Sequence, residues 1–386
     1  MWLIVALVGG GCNSILGINE LTVVDAPPGT ETDIDAFIPA DASVPIDSVD
    51  APPNMLCSML ADECYMDPLP AGDIVLGAVN TETDGRCTSV TQTNGQTFCA
   101  IVGGSIKILA AGAVITGDKP LMLVATTTIT IDGDLDAGST GAPARSGPGI
   151  GGTPNPCNNP NTGGGGQDGG GGGAGGTFST KGGDGGDGAG NMGGNGANAT
   201  NAQVPTTIRP GCRGGTGGKS ATGVGGNGGG AILLVAGTSI TISDRVIANG
   251  AGGTGASATQ GGGGGGGSGG MIALESPMII LEAGAELSAN GGGGGEGTIT
   301  TNADEGEEST AWNVVAAGGT GGSGEGGAGG AGAAALINAA KGANGTTDSG
   351  NDGAGGGGGG GHGVVWLKGT LSGAGMTKIS PSPVFK

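Results

Sequence analysis

The sequence predicts an all-β chain: a right-handed parallel β-helix, or solenoid, with long glycine-rich insertions ordered as polyglycine II-like strands. A β-sandwich with glycine-rich loops is the alternative. Three observations carry this expectation. Glycine supplies 98 of 386 residues, about a quarter of the chain where about 7% is usual. Apolar residues still reach 35% and are gathered into short runs. Those runs alternate apolar and polar positions, as expected of strands with one buried face.

Composition also excludes classes. Ordering glycine costs more backbone entropy than ordering any other residue, and three Trp, one Tyr and four Phe are too few aromatic side chains for a conventional core. Collagen does not fit, because no Gly-X-Y period with proline is sustained. The formal charge is −20 and no basic residue precedes Arg86, which argues against nucleic acid as a partner, since binding it needs a basic surface that displaces counterions. The acidity reads as a device for solubility.

Taken in order, residues 1–11 read as a signal peptide. "MWLIVALVGGGC" is an apolar run ending in small residues and Cys12, and it resembles a bacterial lipoprotein signal whose cysteine is acylated. Eleven residues are too few to cross a bilayer, which takes about 20. Gly9 stands where such signals carry leucine, and no basic residue precedes the run, which predicts a true start upstream. Residues 12–54 form an acidic Asp/Ala/Pro stalk, "DAPPGTETDIDAFIPADASVPIDSVDAPPN" from Asp25 to Asn54; proline and like charge keep such a segment extended. The expected membrane contact is therefore the lipid on Cys12.

Residues 55–100 hold Cys57, Cys64, Cys87 and Cys99 with 6, 22 and 11 residues between them. Zinc sites want closer thiol pairs, so disulfides are expected, in any of three pairings, stapling a cap on the solenoid. The even number left after Cys12 suits an oxidising compartment.

Residues 101–386 carry the solenoid. "LMLVATTTITIDGDLDAGSTG" (121–141), "ILLVAGTSITISDRVIANGAGG" (232–253) and "IALESPMIILEAGAELSANGGGG" (272–294) align as apolar strand, break, alternating strand, break and glycine run. Ile129, Ile131, Leu135 and Ala137 share one parity; Asp132, Asp134 and Asp136 share the other. "GSIKILAAGAVITG" reads as a further turn upstream and "HGVVWLKGTLSG" as a shortened last one. No such unit buries its apolar face alone, whereas stacked units do. Insertions are expected at about 138–230 and 291–362, where paired glycines with a small third residue give the period of three of polyglycine II; floppy loops are the alternative. Cys157 and Cys212 lie in the first insertion, and a bond between them would tether it by about 3–5 kcal/mol.

The cysteine-bearing entry, "LMLVATTTITIDGDLDAG", "RPGCRGGTGG" and "GGGGGGGSGGMIALE" together resemble the glycine-rich β-solenoid surface lipoproteins predicted in myxobacteria. "CNSILGINEL" and the stalk behind it resemble lipoproteins of the same bacteria. The resemblance implies an extracytoplasmic, outer-membrane or cell-surface lipoprotein of a Gram-negative bacterium, with extracellular polysaccharide or neighbouring surface proteins as partners. It supplies no catalytic residue.

The chemical motifs are sparse. "RGGTGGKS" (213–220) has Arg213 where a phosphate-binding loop needs glycine. "GGDGGDGAG" (182–190) matches part of a calcium-binding nonapeptide, making Asp184 and Asp187 the calcium candidates. Asp132, Asp134 and Asp136 stand about 6–7 Å apart if they share one strand face, overlapping the carboxylate separation of inverting glycosidases. His362, the single histidine, has no recognisable serine or cysteine partner. The expectation is a non-enzymatic protein of adhesion, matrix or coat, with no cofactor unless calcium; a β-helical polysaccharide hydrolase or lyase is the alternative.

Overall fold

A computed structural model describes residues 55–386 except 62, 67–71, 93–94, 142–144, 151–156, 158–159, 203, 220–222, 258, 301–302, 321–325 and 349–350. The signal peptide, Cys12 and the stalk lie outside the described residues. The chain is all-β. Among the described residues the only helical turn is a 3-10 turn at Ala374–Thr377.

Most strands pair in parallel and fall into three rows. In the first row Cys99, Leu121, Ile232, Ile272 and Val365 are successive register partners. The second row aligns Ile74, Ile106, Ile129, Ile240, Ile279 and Leu371. The third aligns Ala113, Leu135, Val246, Leu287 and Ile379. Each pass of the chain adds one strand to each row, and Met271–Leu281 is long enough to serve two rows. The inward side chains of all three rows meet in one apolar cluster. Register follows because a slip of one residue would turn every apolar side chain outward.

Two kinds of strand result from two kinds of cover. Thr128–Ile131 and Ser239–Ile242 bury only every second residue, so one face is wet. Leu121–Ala125 and Ala231–Ala236 are buried throughout, because Leu60, Phe98, Phe178 and Ile208 close a second cluster over their outer side chains Met122, Val124, Leu233 and Val235. Continuous apolar runs are what two-sided burial demands. Leu60 comes from the turn of an antiparallel hairpin, Met55–Ser58 with Glu63–Met66. Buried Glu275 holds that turn, accepting from Ser58 Oγ, Met59 N and Leu60 N at 3.1 Å each. At the end of the first row Thr88–Thr91 pairs antiparallel with Thr97–Gly103.

The return from third row to first row is short at 117–120 and 381–383, runs through Thr88–Thr91 at 81–96, and is long at 137–230, 248–270 and 289–363. These long returns are hydrogen-bonded to one another. Along 261–270, the amides of residues 262, 265 and 268 donate to Gly218, Gly215 and Cys212. Those of 263, 266 and 269 donate to Gly355, Gly358 and Gly361, and those of 264, 267 and 270 to Thr254, Ala251 and Ala248, all at 2.7–3.1 Å. Its carbonyls accept with the same period of three from segments containing Gly173, Gly226 and Gly295. One extended segment thus bonds to six neighbours. Such approach needs bare backbone: a Cβ on Gly265 would stand 2.0 Å from the Ala174 carbonyl oxygen.

Candidate functional site

The sequence-predicted aspartates sit where the second row turns into the third. Ile131 ends one strand and Leu135–Asp136 forms the next, so the three carboxylates wrap a corner instead of sharing one strand face. The corner is tight at Gly133, where a Cβ would stand 2.5 Å from the Leu109 carbonyl oxygen. Each aspartate has its own cation. Asp132 pairs with Lys107 at 2.8 Å and Asp136 with Arg145 at 2.7 Å. Asp134 takes one edge of the Arg245 guanidinium in a bidentate contact, with Nε donating to Oδ1 at 2.9 Å and Nη2 to Oδ2. No basic residue lies near these aspartates in sequence before Arg145, yet the parallel register brings Lys107 and Arg245 from the flanking passes.

Down the stack the signs alternate. Arg245 is the register partner of Glu286, and Lys378 of the last pass stands 3.9 Å from Glu286. The hydrogen bonds it donates to Asp134 hold the Arg245 guanidinium above its ordinary pKa against partial burial, helped by the charges of Asp134, Asp244 and Glu286. Beside this ladder lies an open cleft of about 290 Å³, lined by Asp134, Asp136, Arg145, Arg245, Glu286, Glu308 and Thr310 among others; the Ser139 hydroxyl at its base is buried, donating to Gly228 O and accepting from Gly147 N. Its wall is fixed by two buried asparagines. Asn290 N donates to Asn249 Oδ1 at 2.8 Å, and Asn290 Nδ2 to Ser309 Oγ at 2.9 Å.

The calcium candidates serve as backbone acceptors. Asp184 Oδ1 accepts from Ala199 N at 2.8 Å and pairs with Lys181 at 3.0 Å; Asp187 Oδ1 accepts from Gly196 N at 2.8 Å. Burial would raise the Asp184 pKa, but the Ala199 N–H and Lys181 bring it below its ordinary value. Among the described residues, no group of three or more His, Cys, Asp or Glu is placed to hold a metal ion. In the glycine-lysine motif, Lys219 Nζ donates to the Gln167 and Asp168 carbonyls, and Arg213 Nε to Gly225 O at 3.0 Å.

His362 is buried at a second cleft, about 320 Å³, lined by Ser179, Thr180, Val204, Leu336, Asn338 and Val384 among others. Its Nδ1 lies 3.3 Å from Thr180 Oγ1, while Nε2 is enclosed with no hydrogen-bond partner. Burial pushes its pKa down, opposed in part by the backbones of Ala334 and Ala335. The neighbouring Ser179 hydroxyl donates to the Gly363 and His362 carbonyls, so it is directed at backbone oxygens and makes no serine–histidine relay.

The six cysteines among the described residues form three disulfides: Cys57–Cys64, Cys87–Cys99 and Cys157–Cys212. Two residues were not legible as site residues in sequence. Glu275 shows only as one carboxylate in "MIALESPMII", and Arg209 only as the first residue of "RPGCRGGTGG", where nothing in the sequence pairs it with a ring or a sulfur. Comparison with protein-family models, with curated proteins and with solved structures finds no match for this chain.

Proposed function

We propose that this chain is a non-enzymatic, extracytoplasmic surface protein, lipid-anchored through Cys12 and serving adhesion, matrix or coat structure. In this reading the three rows are the faces of a right-handed parallel β-helix, and the bonded returns are polyglycine II-like insertions. The carrying observation is the segment 261–270, bonded to six neighbours with a period of three. So much of the chain committed to side-chain-free, mutually bonded backbone suits a rigid bulk material. Three disulfides fit an oxidising compartment. The resemblance to glycine-rich surface lipoproteins of myxobacteria, outer-membrane location and polysaccharide or neighbouring surface proteins as partners belong to the same proposal.

Fractionation and protease shaving of cells producing the full chain, with and without Cys12→Ser, test it. Surface exposure that depends on Cys12 supports the reading. A cytoplasmic protein with reduced cysteines rejects it. A glycan array probed with the oxidised chain, with and without calcium, then separates adhesion from a purely structural coat.

One observation favours polysaccharide cleavage as a second reading: the open cleft lined by the carboxylates of Asp134, Asp136, Glu286 and Glu308. Both carboxylates are held by arginines, which favours contact with sugar over acid–base work. If a cleavage activity is found and survives Asp132, Asp134 and Asp136 all changed to Ala, this reading is rejected.

A further inference from the structure

Arg209 is a buried cation, 9% exposed, and among the described residues it forms no ion pair. The stretches 151–156 and 158–159 around Cys157 contain no Asp or Glu. Its surroundings are instead aromatic and sulfur. The guanidinium carbon lies 4.4 Å from the centroid of the Phe178 ring, and Nη1 lies 3.9 Å from Cys157 Sγ and 4.0 Å from Cys212 Sγ. A buried charge ordinarily has a counter-charge. Among the described residues, the one group able to become an anion at that distance is a cysteine sulfur released from the disulfide.

We propose that Cys157–Cys212 is a thiol–disulfide exchange site that takes a dithiol as co-reactant, with Arg209 holding the departing Cys212 thiolate. Cys157 is the half-buried sulfur and Cys212 the buried one, which sets the order of events. A thiolate of the dithiol attacks Cys157 Sγ, forming a mixed disulfide, and the Cys157–Cys212 bond breaks with its electron pair on Cys212 Sγ. The second thiol of the reagent loses its proton to solvent and attacks the reagent sulfur of the mixed disulfide. Cys157 leaves as thiolate and is protonated. The dithiol ends as a disulfide, and the protein disulfide ends as two cysteines.

A nearby cation lowers a thiol's pKa and so favours the reduced form. The other two bonds lack this device. Cys57–Cys64 stands beside Glu63, and near Cys87–Cys99 the guanidinium of Arg86 is taken up by Asp84 at 2.6 Å. Opening Cys157–Cys212 would free the ends of a segment of sequence separation 55, which carries several of the mutually bonded glycine stretches. The site rests on local geometry and is independent of the cellular location proposed above.

The test equilibrates the full oxidised chain, with Cys12 alkylated beforehand, in dithiothreitol buffers of stepped potential and reads each cysteine pair by mass spectrometry. Cys157–Cys212 is expected to open at the most oxidising potential of the three. Arg209→Gln should lower its equilibrium constant for reduction about tenfold, about 30 mV for a two-electron couple, and Arg209→Lys should restore the wild-type order. All three bonds opening together, or no movement in Arg209→Gln with the other two bonds intact, overturns the proposal. A second measurement needs no change at Arg209: in Cys157→Ser, the pH profile of Cys212 alkylation should rise well below the ordinary thiol pKa of about 8.5. An ordinary or higher value also overturns it.

Discussion

Arg245 of one pass grips Asp134 of the pass before it in a bidentate contact through Nε and Nη2, although 111 positions separate them in sequence. The contact pins the two passes at their shared corner, and Glu286 of the next pass stands in register with Arg245.

Replacing Arg245 by Met should cost little. The side chains are 40% and 33% exposed, so solvent screening limits the pair to about 0.2–1 kcal/mol. Urea unfolding in low salt should show that loss, and the difference should shrink in 1 M salt, since the Debye length falls to about 3 Å. Arg245→Glu should be worse than Arg245→Met, because it faces Asp134 and Glu286.

Glycine substitutions should divide sharply by position. Gly265→Ala puts a methyl 2.0 Å from the Ala174 carbonyl oxygen, backbone that cannot yield without moving its neighbours, and should cost about 3 kcal/mol or more. Gly85→Ala meets nothing within 4 Å and should change stability by no more than about 0.5 kcal/mol. Denaturation midpoints of the two variants give the comparison directly; equal midpoints would contradict the packed arrangement around 261–270.

Glu275→Ala should loosen the hairpin at 55–66. It removes the acceptor of Ser58 Oγ, Met59 N and Leu60 N, and leaving such donors unpaired costs about 1–3 kcal/mol apiece where they stay buried. Hydrogen exchange at Met59 and Leu60 should accelerate, with the amides of Ala231–Ala236 unchanged. Glu275→Gln keeps one acceptor oxygen and should fall between.

Acid should destabilise the protein in part through His362. Its pKa in the folded chain lies below the ordinary 6.5 because the ring is buried. The unfolded chain therefore binds the extra proton first as pH falls. Stability is at its full value above pH about 6.5 and declines from there toward the folded-state pKa. Unfolding free energies at pH 7.5 and pH 5 should differ less in His362→Gln than in the parent chain.

Strand character was legible because it is local. Ile129 and Ile131 alternate with threonines, and the fold buries that parity and wets the other. Parity alone does not reveal the corner: Asp132, Asp134 and Asp136 alternate as they would on one strand, whereas the chain turns at Gly133 between two strands. The cysteines were legible as disulfides by count and spacing, but the choice of Cys57–Cys64 with Cys87–Cys99 among three pairings required the hairpin and the strand edge to be in place.

The all-β character, the apolar parity of the strands and the presence of disulfides are written locally in the chain, since each follows from a period of two or from residue type. Tertiary structure alone decided which cations meet Asp132 and Asp134, why Leu121–Ala125 is apolar on both faces, which six segments surround 261–270, and that Arg209 lies between a ring and a disulfide. The physical reason is the range of the interaction. Alternation is set by neighbours along the chain, whereas ion pairs, second-face cover and bonds between glycine backbones are made across passes, and glycine has no side chain to announce its partner.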